Sequence, residues 1–416
     1  MSLLITNVHL DGSTVDVFIN GRTIERIGPG LEVQAETVLD GRNKAILPSF
    51  VNAHTHAAMT LLRGYADDME LHTWLNSYIW PLEGRLSDED VGIGARLACL
   101  EMIKSGTTLF NDMYWCYHST AAAAEAMGLR AAVSSVFIDF NDDKTARRRW
   151  EDCLRLYEET AGYSDRIQFA LGPHAVYSVS AESLVKIGEF SREHGLIIHM
   201  HVSETKKEVE DCLESTGLTP LGYLDSLGLL GPNFCACHCV WLTDEDIDLI
   251  ESRGVTVVHN PTSNMKLCSG QLPYDRLLGR DISVSLGTDG CSSNNSLDML
   301  ESMKFAALAS KAHFGDPTIM PAEEAFAMAT NGGSAIFGLN GGGIAEGRLA
   351  DCILVDLNHP QLTPNYNLLS NLVYAANGDC VNTTICDGRI LMHDRVVEGE
   401  ADILAEARQA AGRLIA

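Results

Sequence analysis

Through the middle of the chain, short β-branched and apolar runs alternate with longer segments of helical character, each unit bounded by Gly, Pro, Asn or Asp. Runs of that length between turn formers predict strands, and the segments between them predict helices, so the pattern is one of βα alternation. The predicted strands are 45–56 (AILPSFVNAHTH), 107–112, 130–137, 167–175, 196–204, 234–241, 255–261 and 282–290. The segments 87–106, 180–195 and 243–254 open on Ser or Thr and close on Gly, which are helix start and stop signals. Eight such units favour a closed (β/α)8 barrel, for which about 250 residues suffice. A doubly wound open sheet shares the local pattern, but no G-x-G-x-x-G follows a strand and no Walker A sequence occurs.

The two ends read differently. Before residue 45 the chain alternates short strands with tight turns, and 347–357 and 381–399 have the same texture. Neither piece alone could bury a core, so both are expected to assemble into one small discontinuous β-sandwich domain. The expected division is 1–48 for its N-terminal part, 49–345 for the barrel, and 346–416 for the C-terminal part with a closing helix.

Composition narrows the partners. Hydrophobic residues make up 46% and charged residues 21% of the 416, which suits a globular enzyme with a large core. With 30 basic and 56 acidic residues the net charge is -26, which repels a phosphate backbone and argues against nucleic acid as a partner. No apolar run is long enough to span a bilayer and the start, MSLLITNVHLDG, lacks the features of a signal peptide, so a cytoplasmic protein without membrane contact is expected, as a homo-oligomer. The twelve cysteines then read mostly as small buried apolar residues.

Catalytic groups on a barrel come from the carboxyl ends of its strands. Here His54 and His56 end the first strand, His174 the fourth, His201 and Glu204 the fifth, His238 the sixth, His259 the seventh and Asp289 the eighth. Positions i and i+2 of a strand face one side, so His54 and His56 can hold one cation as a pair. Together with His201 and Asp289 they form a set of three imidazoles and one carboxylate, the donor set of a catalytic Zn2+ or Fe2+ site rather than a closed structural one. His199 shares a face with His201 and parity does not separate them. Depth favours His201, nearer the mouth, with His199 as a hydrogen-bonded histidine lower down. Such a cation acidifies water. Asp289 is placed to serve as ligand and proton acceptor, and Glu204 to deliver a proton to a ring nitrogen.

The strings PSFVNAHTHAAMTLLRG (48–64), HVSE (201–204), HNPTSNMKL (259–267), LGTDGCSSNNSLDM (286–299) and GGIAEGRLADCILVDL (342–357) resemble the amidohydrolase superfamily. Within it they are similar to the 5'-methylthioadenosine/S-adenosylhomocysteine deaminases, over nearly the whole chain. The resemblance implies hydrolytic deamination of an adenine nucleoside, with one divalent metal, Zn2+ or else Fe2+, on His54, His56, His201 and Asp289. It implies Glu204 as the ring-protonating acid and His238 as the residue orienting the attacking water. It also places Trp74, Glu83 and His174 against the nucleoside, with Glu83 at the ribose hydroxyls. Relatives that accept S-adenosylhomocysteine grip its carboxylate with two arginines. Ser135 stands where the first would fall, and Arg149, beside Arg147 and Arg148, offers the second. Losing one such contact costs about 1.5–3 kcal/mol toward a carboxylated substrate. Alternatives are the same chemistry on another ring, such as guanine or a triazine, and a non-enzymatic nucleoside- or metal-binding protein.

The densest cluster, CACHC at 235–239, separates under a period of two: His238 on one face, with Cys235, Cys237 and Cys239 expected to look outward at the helices.

Overall fold

The computed structural model describes residues 2–69 and 71–415; Met1 and Ala416, the ends of the two expected outer segments, lie outside them. The chain begins with five short strands, β1 (Ser2–Leu10), β2 (Ser13–Asn20), β3 (Thr23–Gly28), β4 (Thr37–Asp40) and β5 (Lys44–Pro48). Eight more follow, each separated from the next by helix: β6 (Phe50–Thr55), β7 (Thr107–Asp112), β8 (Arg130–Phe137), β9 (Ile167–Pro173), β10 (Ile197–Val202), β11 (Phe234–His238), β12 (Thr256–His259) and β13 (Val284–Leu286). Three return near the end, β14 (Cys352–Asp356), β15 (Val381–Cys386) and β16 (Arg389–Met392), before a closing helix, Glu400–Ile415.

Strands β6 to β13 pair in sequence order, all parallel, into the (β/α)8 barrel. Closure between β13 and β6 is made partly by a side chain. The Asn52 amide donates to Thr288 Oγ1 (2.7 Å) and accepts from Thr288 N (3.0 Å), while Asp289 N donates to His54 O (3.0 Å). An Asn side chain thus imitates a peptide where the three-residue β13 has run out of backbone. Helix ends follow the sequence signals: Ser87 caps Asp88–Ser105 with a capping box and Gly106 closes it at φ 91°.

The other strands form one sheet in the order β16-β15-β14-β5-β1-β2-β3, with β4 on β1, so both termini build it. The run 45–56, expected as a single strand, is two. At Ser49 the chain leaves β5, which pairs antiparallel with β14, and enters β6 of the barrel. The junction is fastened below by a buried charge cluster in which Arg130 Nε, at the start of β8, meets Asp351 Oδ2 at 2.7 Å and its Nη2 reaches Asp387.

Inside the barrel, Val51, Ala53, Leu109, Ala132, Ala170, Ile197, Cys235, Cys237 and Val258 pack as one apolar layer above Phe337. Alternate residues of seven strands make this floor, and it leaves the polar strand ends to line the mouth. Between Asn52 and Thr55 the β6–β7 register shifts, three residues spanning what two span on β7. That bulge lets His54 and His56 reach the axis although Val51 and Ala53 already face it.

Candidate active site

His54, His56, His201 and Asp289 converge at the mouth. His56 Nδ1 donates to the carbonyl of Met113 (2.6 Å) and His201 Nδ1 to that of His174 (2.8 Å). A carbonyl only accepts, so both rings carry a proton on Nδ1 and turn Nε2 inward. His54 Nε2 is buried without a hydrogen-bond partner, its Nδ1 being engaged with His199. The inward atoms stand 3.3 Å (His54 Nε2 to Asp289 Oδ1), 3.2 Å (His56 Nε2 to Asp289 Oδ1) and 3.4 Å (His56 Nε2 to His201 Nε2) apart. Ligands about 2.0–2.1 Å from a tetrahedral cation sit roughly 3.3–3.4 Å from one another, so this spacing and donor set fit a zinc-sized ion.

Burial pushes His54 and His174 down to about 4 and His201 well below the usual imidazole range, which keeps those rings neutral. His56 goes the other way: burial works to lower it, but the hydrogen bond to and the charge of Asp289 raise it to about 9, so a cation binding here has to displace the proton His56 shares with Asp289. Burial works to raise the Asp289 carboxyl, but the adjacent His54 and His56 hold it well below the usual carboxylate range. Ser263 Oγ donates to its Oδ2 (2.7 Å) and Gly290 N to its Oδ1 (2.8 Å), which fixes its aim.

Glu204 and His238 stand beside this group. His238 Nδ1 donates to Asn264 Oδ1 (2.8 Å), leaving Nε2 without a partner, 3.9 Å from Glu204 Oε2. Burial raises the Glu204 carboxyl, and nearby Asp289 pushes it the same way. Behind Glu204, the buried Glu208 accepts from the backbone of Ser203 (2.9 Å) and Glu204 (2.8 Å), clamping the turn that carries the acid.

The cavity above is lined by His56, Trp74, Glu83, Tyr114, His174, His201, Glu204, His238 and Asp289 among others. Trp74 is wall: its indole N–H already donates to Ala66 O (2.9 Å). Glu83 accepts from Tyr114 O–H (2.7 Å), and burial raises its carboxyl. His174 Nδ1 pairs with Ser178 Oγ (2.8 Å). Arg149 is not brought to this cavity. With Ser135 it lines an adjoining one behind Tyr114, Trp115 and Val136, its guanidinium 4.7 Å from the Trp115 ring centre. His259 is buried outside the lining, with neither ring nitrogen bonded.

The outward orientation expected of all three cysteines is wrong for two. Cys235 and Cys237 belong to the barrel floor, while Cys239 and Ala236 pack outside. By parity His238 would follow Ala236 outward. It reaches the mouth because the strand ends there: His238 and Cys239 take φ of 75° and 50°, a left-handed turn that breaks the alternation. Ser203 (52°) and Asp289 (61°) do the same at the ends of β10 and after β13. Non-glycine residues held in that region are strained, and three of these turns flank the site. Sequence reading also missed Tyr114, Ser263, Asn264 and Glu208. Ser263 and Asn264 lie within the HNPTSNMKL string, which was the available signal.

The architecture is therefore an α/β barrel with a cation-competent cluster and a half-buried glutamate at its mouth. The chain belongs to the amidohydrolase family, whose model matches residues 45–391. It is 48% identical over 421 residues to the 5'-deoxyadenosine deaminase of Methanoregula boonei, covering 100% of this chain and 95% of that one. It is 44% identical over 400 residues to the 5-methylthioadenosine/S-adenosylhomocysteine deaminase 1 of Archaeoglobus fulgidus, covering 95% and 94%. Among solved structures, the zinc-bound adenosine deaminase from Xanthomonas campestris superposes with a TM-score of 0.94 at 34% identity over 99% of this chain and 98% of that one. No helix among the described residues is long and apolar enough to cross a membrane.

Proposed function

We propose that the protein deaminates adenine nucleosides hydrolytically, giving the inosine analogue and ammonia. The observation that carries this is the placement of Glu204 and His238 beside four cation donors, under a cavity whose wall presents Glu83. His54, His56, His201 and Asp289 would hold the ion, for which Zn2+ fits the three-nitrogen, one-oxygen set and matches the zinc of the Xanthomonas relative. Bound there, the ion supplies Lewis acidity that makes water nucleophilic near neutral pH.

The chain's own groups do the rest. The raised pKa of Glu204 keeps a proton in supply for the purine ring nitrogen next to C6 as water attacks that carbon. His238 Nε2 and Asp289 take the water proton, and its passage to the departing amino group releases ammonia. Glu83, held by Tyr114, accepts from the ribose hydroxyls, and Trp74 and His174 wall the nucleoside in. With Ser135 in place of one arginine and Arg149 stacked on Trp115, no Lys or Arg among the described residues lines the main cavity. This favours 5'-deoxyadenosine, 5'-methylthioadenosine and adenosine over S-adenosylhomocysteine; the names of the relatives carry 5'-deoxyadenosine, 5-methylthioadenosine and S-adenosylhomocysteine alike.

The test is to incubate the zinc-loaded protein with those four nucleosides, and with guanine as a ring lacking ribose, while following ultraviolet absorbance and ammonia. Turnover of the first three ahead of S-adenosylhomocysteine is expected. No turnover of any adenine nucleoside would overturn the proposal.

A further inference from the structure

Of the three imidazoles in the candidate metal cluster, two turn their Nδ1 proton to a backbone carbonyl, and the third does not. His54 Nδ1 lies 2.7 Å from Nε2 of His199, a second imidazole one layer deeper, and His199 Nδ1 in turn faces Ser134 Oγ at 3.5 Å. Both rings are fully buried and meet edge-on, with centroids 4.8 Å apart. Below them lies the apolar floor with Cys237, whose sulfur is within 4.8 Å of both rings' ligand atoms.

The trio His54, His199 and Cys237 is not itself a second cation site. Two nitrogens sharing a zinc ion at about 2.0–2.1 Å each must stand roughly 3.3 Å apart or more. At 2.7 Å they are at hydrogen-bond distance, so one proton lies between them.

We infer that His199 is a positioning residue that sets the tautomer of His54 for metal binding. A neutral imidazole has one N–H and one lone pair. For His54 to offer its Nε2 lone pair to an ion, its proton must sit on Nδ1 and be donated to His199 Nε2. The His199 proton must then sit on its own Nδ1, facing the Ser134 hydroxyl oxygen. The opposite arrangement, with His199 Nε2 donating to His54 and His54 Nε2–H turned toward Asp289, is the resting alternative. Each ring keeps one proton in both states, so the pair can switch without net proton release. A backbone carbonyl, as at His56 and His201, allows no such alternative, which makes His54 the one imidazole of the cluster whose tautomer depends on a side chain. This rests on the proposed ligand set.

The test measures metal affinity, not turnover. Zinc dissociation constants are obtained by chelator competition for the wild type, His199→Gln and His199→Leu, with melting of each metal-free protein as the control for folding. Leu nearly fills the space among apolar floor residues but accepts nothing; Gln Oε1 can accept from His54 Nδ1–H. The expected result is a 10–100-fold weaker zinc site in His199→Leu, the range seen when such outer partners are lost, and a Gln variant within a few-fold of wild type. His199→Leu binding zinc as tightly as wild type would overturn the inference. If Leu does not fold, a Gln variant that folds and yet loses zinc tenfold or more also overturns it. Failure of the wild type itself to take up zinc would instead sink the ligand assignment, so the two outcomes are distinguishable.

Discussion

Glu208 gives the most quantitative prediction. Its two carboxylate oxygens hold the N–H groups of Ser203 and Glu204 (2.9 and 2.8 Å), and burial pushes its pKa up to about 7 from an ordinary 4.5. At 1.36 kcal/mol per pKa unit, charging it in the folded state costs on the order of 3 kcal/mol relative to the unfolded chain. Because the folded-state value is raised, its favourable contribution is fully present below pH 4.5 and is lost as pH rises through about 7. Glu208→Gln removes that dependence. It also replaces one acceptor with an amide donor and leaves one buried N–H unmet, a pH-independent loss of about 1–3 kcal/mol. The variant should therefore be the less stable protein at pH 5, and the difference should move in its favour by on the order of 3 kcal/mol toward pH 8, enough to close the gap or reverse it. Urea unfolding of both proteins at pH 5, 6, 7 and 8 measures this, and a gap that stays constant with pH would refute the reasoning. The same substitution frees the turn carrying Glu204, so kcat should fall by up to about 10²-fold with little change in KM.

Glu83→Gln should lower kcat/KM for adenine nucleosides by about 10–100-fold, and Tyr114→Phe by less, since it removes only the hydroxyl that orients the carboxylate; free adenine should be indifferent to both. Asn264→Leu leaves His238 Nδ1 without its acceptor and should cost about 10²-fold in kcat while leaving KM within a few-fold, which steady-state kinetics would show. Dialysis against a chelator should abolish activity and lower the melting temperature, with zinc at 100 times its dissociation constant restoring about 2.7 kcal/mol. Arg130→Ala leaves Asp351 buried without its cation in the junction of barrel and sheet, while Asp387 keeps Arg22, and should destabilise by about 3–5 kcal/mol in urea, with KM unchanged in the protein that remains folded.

The parts legible in the sequence were those governed by local rules. Strand and helix alternation follows from residue periodicity and caps, and the convergence of His54, His56, His201 and Asp289 on one mouth was expected because barrel chemistry sits at strand ends. The split at Ser49 was hidden because both halves of 45–56 are extended and apolar; which sheet each joins is decided by β14, some 300 residues away. Arg149 was placed by the spacing of a resemblance, and the ring of Trp115, a tertiary partner, is what holds it in the next cavity. Glu208 reads in sequence as a first-turn helix charge, and only the backward turn at Ser203 brings its carboxylate under Glu204.

CACHC shows the limit most sharply. Period-two reasoning correctly kept the thiols and His238 from being a single cluster of ligands, and for the wrong reason. Cys235 and Cys237 do face the barrel axis, but at floor depth, and His238 joins the mouth only through the positive φ at the end of β11. A period of two is a property of extended backbone and stops where the strand stops. The candidate site of this barrel sits at that stopping point, where Ser203 follows β10, His238 ends β11 and Asp289 follows β13, each in a left-handed turn. The geometry that makes these residues useful is thus the geometry that takes them out of reach of the pattern. Depth along the strand, which survives a change of face, is the better guide to them.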